Sequence, residues 1–271
     1  MKRFVRAGQA ELCVEDSQTA GPAIVCLHAG VCDRRMWAPQ VEALRATHRV
    51  LAYDRRGFGE TRAEPEPHSR VADLIAVLDD AQIERAVLMG CSQGGWLAID
   101  AALAHPDRVS ALVLVACSIS GAPQDANGPF GPVIDALGEK LEAAEARGDC
   151  EAVNEFKAQA WLDGPAQPAG RVSGALRDLF LEMNGIALAR PDFGAVTDPA
   201  DAWDRLDQIR VPALIVWGSF DFPHYGPRMR SLAQRIAGAQ TFVMDGVAHL
   251  PGLENPAVFN PAVAAFLASL R

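Results

Sequence analysis

The sequence predicts an α/β fold with a mostly parallel sheet, and three observations carry that prediction. Apolar runs at 24–27, 50–53, 86–89, 109–115 and 213–217 are continuous rather than alternating, as in strands covered on both faces. Helix-like segments at 36–46, 71–81 and 95–104 fall between them and give repeated strand-helix-strand units. The pentapeptide Gly90-Cys91-Ser92-Gln93-Gly94 stands where one such run meets one such helix. There a strand can turn sharply into a helix and lift a serine hydroxyl above the sheet, with the flanking glycines relieving the crowding.

In chain order, residues 4–14 differ from the rest of the core: a Gly8-Gln9 turn between two short strand candidates predicts an opening hairpin. The buried strands and their crossover helices then alternate as far as residue 115. From 119 to about 204 the alternation stops, and helical stretches are broken at Gly148-Asp149, Gly164-Pro165 and Arg190-Pro191. Strand character returns at Val211 and again at 239–244, before a terminal helix over 257–270 that is apolar on one face. The expected organisation is a core of residues 1–118 and 205–271, with a helical cap inserted at 119–204 over the carboxyl edge of the sheet, where α/β proteins place ligands. At 271 residues, one domain with an insertion fits better than two separate domains.

Composition narrows the function classes. A formal charge of −9 argues against nucleic acid, whose recognition draws on clustered lysine and arginine, and favours a small-molecule substrate. The basic start, Met1-Lys2-Arg3, is not followed by an apolar run of signal-peptide length, and no stretch reaches spanning length. The expectation is a cytoplasmic protein with no membrane partner. Six cysteines, at 13, 26, 32, 91, 117 and 150, form neither a C-x-x-C pair nor a metal-like cluster and read as buried, reduced thiols. Cys91 adjoins Ser92, but neighbours on a strand point to opposite faces, so packing is its expected role. The terminal helix is expected to pack on the sheet, a homo-oligomer contact being its alternative use.

Serine is a weak nucleophile at neutral pH, so Ser92 needs a base and that base an orienting partner. Among six histidines, His249 lies in a loop between the strand at 239–244 and the terminal helix, whereas His48, His68, His105 and His224 lack such placement. Asp221 directly follows the strand at 213–217 and is the expected orienting acid. Asp245, four residues before His249, is expected to close a turn. An oxyanion needs two backbone donors: Gln93 N–H supplies one, and the loop His28-Ala29-Gly30-Val31 the other, with Gly30 the expected donor and Ala29 its alternative. His28 is expected to brace that loop.

With these segments in hand, the chain resembles the capped, serine-nucleophile branch of the α/β-hydrolase fold superfamily. The resemblance rests on Leu27-His28-Ala29-Gly30, Asp54-Arg55-Arg56-Gly57-Phe58-Gly59, Gly90-Cys91-Ser92-Gln93-Gly94-Gly95, Trp217-Gly218-Ser219-Phe220-Asp221 and Gly246-Val247-Ala248-His249. It implies an eight-stranded, mostly parallel sheet with an antiparallel second strand and helices on both faces, a helical cap after the sixth strand, and no metal or organic cofactor. The Asp54 to Gly59 turn resembles a segment whose role in the family is structural support. Serine rather than aspartate at position 92 speaks against halide and epoxide cleavage, and Leu250 after His249 tilts the reading away from carbon–carbon bond hydrolases.

The expected activity is hydrolysis of a small carboxylic ester or lactone through an acyl-enzyme. The alternatives are carbon–carbon cleavage or perhydrolysis by the same three residues, or a ligand receptor on a hydrolase scaffold. Trp96, Trp161, Phe220, Phe222 and Leu250 are the expected substrate contacts. Phe130, Phe156, Phe180, Met183 and Phe193 are further cap candidates, most of them expected to pack. Arg171, Arg177 and Arg190 are expected to be solvated rather than paired with a substrate carboxylate.

Overall fold

A computed structural model describes residues 1–123, 130–190 and 193–270. Residue 191, on which part of the break expected at Arg190-Pro191 falls, lies outside the described residues, as do 124–129 of the 119–204 segment. Eight strands form one sheet: β1 (Lys2–Ala7), β2 (Ala10–Asp16), β3 (Ala23–Leu27), β4 (Arg49–Tyr53), β5 (Ala86–Cys91), β6 (Val109–Val115), β7 (Ala213–Gly218) and β8 (Gln240–Met244). Their spatial order is β1-β2-β4-β3-β5-β6-β7-β8. β2 pairs antiparallel with both β1 and β4, and every pairing from β4 through β8 is parallel.

The continuous apolar runs have the physical cause the sequence suggested. Val25, Leu27, Leu88, Leu112, Leu114 and Ile215 belong to one buried cluster, and Ile24, Cys26, Val87, Met89, Val113 and Val216 to another, so alternate residues of each strand feed two cores. Helices α1 (Ala38–Leu44), α2 (Arg70–Asp80) and α3 (Gln93–Ala104) follow β3, β4 and β5. The segment expected as one helix over 36–46 is a 3₁₀ turn at Arg34–Trp37 and then α1, because Pro39 lies in the first turn of α1 and starts a helix afresh.

Between β6 and β7 the described elements are helical: α4 (Pro132–Ala146), α5 (Cys150–Ala158), α6 (Ala175–Leu188) and α7 (Ala202–Arg205), with α5 running on into a π-turn at Gln159–Asp163. Asp149 caps α5 by accepting from Ala152 N–H, which explains the break after Gly148. Among the described residues, strand pairing there is limited to an isolated bridge from Val196 to His68. Helices α8 (Tyr225–Arg235), α9 (Pro251–Glu254) and α10 (Pro256–Ala268) complete the chain. α2, α3 and α8 cover one face of the sheet, α1 and α10 the other; Phe259, Val263, Phe266 and Leu267 of α10 are buried in that second core.

Register positions the site. Leu27 stands opposite Gly90, Gly90 opposite Leu114, and Leu114 opposite Ile215. The carboxyl ends of β3, β5, β6 and β7 therefore open along one edge. Since the chain crosses from β4 to β5 past β3, the crevice lies at the point where the winding direction reverses.

Candidate active site

Ser92 occupies the single residue between β5 and α3, with φ 53° and ψ −116°. Two glycines make that turn possible by close approach. A Cβ on Gly90 would lie 2.3 Å from Gly94 O, and one on Gly94 would lie 2.0 Å from Leu27 O. Ser92 N–H donates to Val115 O at 2.9 Å, while Ser92 O accepts from Trp96 N–H at 3.0 Å and Ser118 N–H at 3.2 Å. The backbone is thus fixed from three sides, and among the described residues the Ser92 hydroxyl has no hydrogen-bond partner.

The amides expected around an oxyanion lie close by. Gln93 begins α3, so its N–H is one of the orphan donors of a helix start. Ala29 N–H is engaged with Met36 Sδ at 3.3 Å; Gly30 N–H has no partner among the described residues. The Gln93 side chain lies over Gly30, where a Cβ would come within 2.6 Å of its amide carbon. His28 uses both ring nitrogens on the backbone: Nδ1 lies 2.8 Å from Ala29 O, and Nε2 accepts from Arg55 N–H at 3.0 Å. Burial and the neighbouring Arg55 charge push its pKa well below the ordinary histidine value, so His28 is a neutral brace.

His249 and Asp221 meet at the ends of β8 and β7. His249 Nδ1 lies 2.8 Å from Asp221 Oδ2, with the histidine 1% and the aspartate 9% exposed. Asp221 Oδ1 accepts from Phe222 N–H at 2.8 Å. A carboxylate on Nδ1 fixes the tautomer with Nε2 free to accept a proton. Asp245 instead accepts from Ser219 Oγ at 2.9 Å, and Ser219 Oγ accepts from Gly246 N–H at 2.9 Å, so the rival acid closes the turn. The thiol of Cys91 lies 3.6 Å from His249 O, bringing the histidine loop against the strand end that carries Ser92. Burial raises that thiol far above its ordinary pKa, which leaves it inert.

Glu254 supports the loop from below: Oε2 accepts from Ala248 N–H at 2.9 Å and Oε1 from Arg171 at 2.7 Å. Arg171 also donates to Asp163 O at 2.6 Å and Leu162 O at 3.1 Å, tying the π-turn to the histidine loop. Arg171 and Arg177 were expected to be solvated; both are held in ion pairs, Arg177 with Asp163 and Glu155. Arg190 is exposed, with backbone carbonyls as partners.

Aromatic rings surround His249. Trp161 and Tyr225 stand 4.6 and 4.8 Å from it between centroids, and Phe222 packs on Trp161 at 4.8 Å and against Phe130 at 5.9 Å. A groove of about 360 Å³ continues from Phe222 past Phe130, Ile134, Leu137 and Ala160. Phe220 lies under the Arg171 guanidinium at 5.3 Å, and Trp96 under that of Arg70 at 4.6 Å. Leu250 has no exposed surface and packs in the second core. Phe180 and Met183 are likewise fully buried. Tyr225 went unmarked in the sequence and His224 was set aside as a base for its placement, yet both rings join this cluster. Their signal was positional: His224 ends the loop that follows Asp221, and Tyr225 begins α8.

Among the described residues there is no group of three or more His, Cys, Asp or Glu that could hold a metal ion, and no helix long and apolar enough to cross a membrane.

A strained serine at a strand-helix turn, two adjacent free amides and a buried His–Asp pair at one sheet edge define a hydrolase. Residues 24–262 match the alpha/beta hydrolase family, and the chain belongs to it. It is 32% identical over 240 residues to the pimeloyl-acyl carrier protein methyl ester esterase of Neisseria meningitidis serogroup B, covering 87% of this chain and 89% of that one. Among solved structures it is similar to a thermophilic esterase from Thermogutta terrifontis (25% identity, TM-score 0.76, covering 100% of this chain and 98% of that one). It is also similar to the enol-lactonase of Burkholderia xenovorans (28% identity, TM-score 0.73, covering 98% and 99%).

Proposed function

We propose that the protein hydrolyses small carboxylic esters or lactones through an acyl-enzyme on Ser92. The observation that carries this reading is the buried 2.8 Å contact between His249 Nδ1 and Asp221 Oδ2, at the same sheet edge as Ser92, whose neighbour Cys91 touches His249 O and whose own hydroxyl has no partner among the described residues. In the first half-reaction Ser92 Oγ attacks the carbonyl carbon and His249 Nε2 takes the hydroxyl proton. The carbonyl oxygen, now negative, accepts from Gln93 and Gly30 N–H; each such donor is worth about 3 kcal/mol in the transition state. Collapse expels the alcohol, or the ring hydroxyl of a lactone, which receives the proton from His249. Water then enters, gives its proton to His249, and releases the acid and free Ser92.

Asp221 holds the histidine in the required tautomer and stabilises its protonated form. In this reading residues 119–204 act as the cap. Trp161 and Phe222 form an apolar wall for one substituent of the carbonyl, and Trp96 and Phe220 flank it. The similarity to an esterase and a lactonase supports the choice of acyl chemistry over halide or epoxide chemistry.

The test is an initial-rate survey of chromogenic esters from acetyl to decanoyl, together with several lactones, for the native protein and Ser92→Ala. Turnover that disappears in Ser92→Ala, by on the order of 10⁴-fold or more, is expected. A Ser92→Ala protein that keeps its esterase activity would overturn the mechanism.

A further inference from the structure

Gln93 and Trp96 also line a second pocket, of about 340 Å³, a size that suits a small ligand. Its charge is unlike that of the rest of the molecule. Among the described residues, four arginines, Arg55, Arg56, Arg70 and Arg190, line it against one carboxylate, that of Asp73, in a chain whose formal charge is −9. Arg56 is committed to ion pairs with Asp73 at 2.8 Å and Glu66 at 2.7 Å. The other three have no carboxylate within ion-pair distance among the described residues.

Arg55 is the informative one. It is 5% exposed, and among the described residues its guanidinium meets neutral groups: His28 O at 3.1 Å, His28 Nδ1 at 3.5 Å, the Gln93 side-chain oxygen at 3.3 Å and the Phe58 ring at 4.8 Å, while its Nε is buried with no partner. Burial lowers its pKa to about 10, the signature of a cation held without a counter-ion. Arg70, half-buried, stacks on Trp96, and its guanidinium has no hydrogen-bond partner among the described residues. Arg190 reaches across from the end of α6, and among the described residues its partners are the carbonyls of Gly59 and Thr61. Gln93 and Trp96 are three residues apart on the first turn of α3, so they share a face, and the helix start adds its own positive potential there.

We propose that this pocket is an anion subsite that takes a carboxylate or phosphate group of the substrate, held by Arg55 and Arg70 and closed by Arg190. The inference rests on the ester-hydrolase reading for its kinetics but not for its binding. Gln93 connects the two regions, its backbone N–H facing the oxyanion and its side chain accepting from Arg55. The favoured substrates are then esters or lactones that carry an acid group away from the scissile bond.

Two measurements test this. The first compares kcat/KM for monomethyl glutarate and 4-acetoxybutanoate, each against its neutral terminal amide, in the native protein, Arg70→Gln and Arg190→Gln. At least one acid is expected to exceed its amide by about tenfold or more, and the ratio to fall toward one in Arg70→Gln, the size of effect one charge-assisted hydrogen bond supplies. Ratios near one in the native protein, or a preference that persists in both variants, overturn the proposal. The second is calorimetric titration of glutarate and of inorganic phosphate into the same three proteins. Binding that weakens in Arg70→Gln and competes with ester hydrolysis supports a substrate subsite; non-competitive binding makes it an effector site and overturns the substrate assignment. A protein that cleaves no ester but binds glutarate through Arg70 would refute the ester-hydrolase reading while leaving the anion site standing. Arg70-independent binding, or none, refutes the site.

Discussion

Ser92 at φ 53° and ψ −116° holds a conformation that side chains other than glycine resist, and it persists because the backbone around it has no slack. Gly94 shows how little: with 2.0 Å between a would-be Cβ and Leu27 O, even a methyl group must push α3 off β3. Gly94→Ala is therefore expected to lower the thermal unfolding midpoint and abolish turnover, followed by circular dichroism and ester hydrolysis; an active variant with native stability would show that the elbow tolerates displacement. Ser92, Asp221 and His249 were legible in the sequence because each follows an apolar run of strand length and sits at a strand end. Arg55 and Arg70 were not, because an arginine's value depends on whether a carboxylate lies beside it in space. Arg171 reads as a surface residue in the sequence for the same reason, although it joins the π-turn to Glu254.

At the scale of elements, the π-turn ending α5 meets the histidine loop through the Trp161–His249 ring contact and through Arg171, whose guanidinium spans Asp163 O, Leu162 O, Gly246 O and Glu254. Arg171→Met keeps much of the stem's packing while removing those bonds. It is expected to lower kcat by about tenfold through misplacement of His249 and Trp161, with the sheet still folded; unchanged kcat at saturating ester would show that the loop holds itself. Helix α3 carries a different tension. Burial raises the Asp100 carboxyl to about 6 against hydrogen bonds from Ser120 and Trp96. A carboxyl whose folded pKa lies above its unfolded value binds its proton more tightly when folded, so stability falls as pH rises from about 4 to about 6. Asp100→Asn keeps an acceptor for Ser120 and avoids that cost. Its melting temperature is expected to exceed the native protein's at pH 8, with the gap narrowing by pH 4; a gap that does not depend on pH would show that Asp100 carries no such penalty. The helix boundaries were less legible than the helices: Pro39 restarts the 34–44 stretch because a proline fits only the first turn.

Across the whole molecule, the sheet gathers residues 28–30, 92–93, 221 and 249 at one edge although they span most of the chain. The buried strands and their alternation with helices could be read from the pattern of apolar runs, because a strand covered on both faces has no polar face to show. The strand order could not, since the runs at 24–27 and 86–89 carry no mark that they are neighbours. The charge distribution was invisible for a similar reason, a net −9 concealing three arginines in one pocket with no ion-pair partner among the described residues. The proposed chemistry requires that one serine, activated by one buried His–Asp pair, form a covalent acyl-enzyme. Intact-protein and peptide mass spectrometry after exposure to a p-nitrophenyl alkylphosphonate tests it most directly. A single adduct on Ser92 is expected, absent in Ser92→Ala and forming at least about 100-fold more slowly in His249→Ala. An adduct on another residue, or labelling of Ser92 at the same rate without His249, would contradict it.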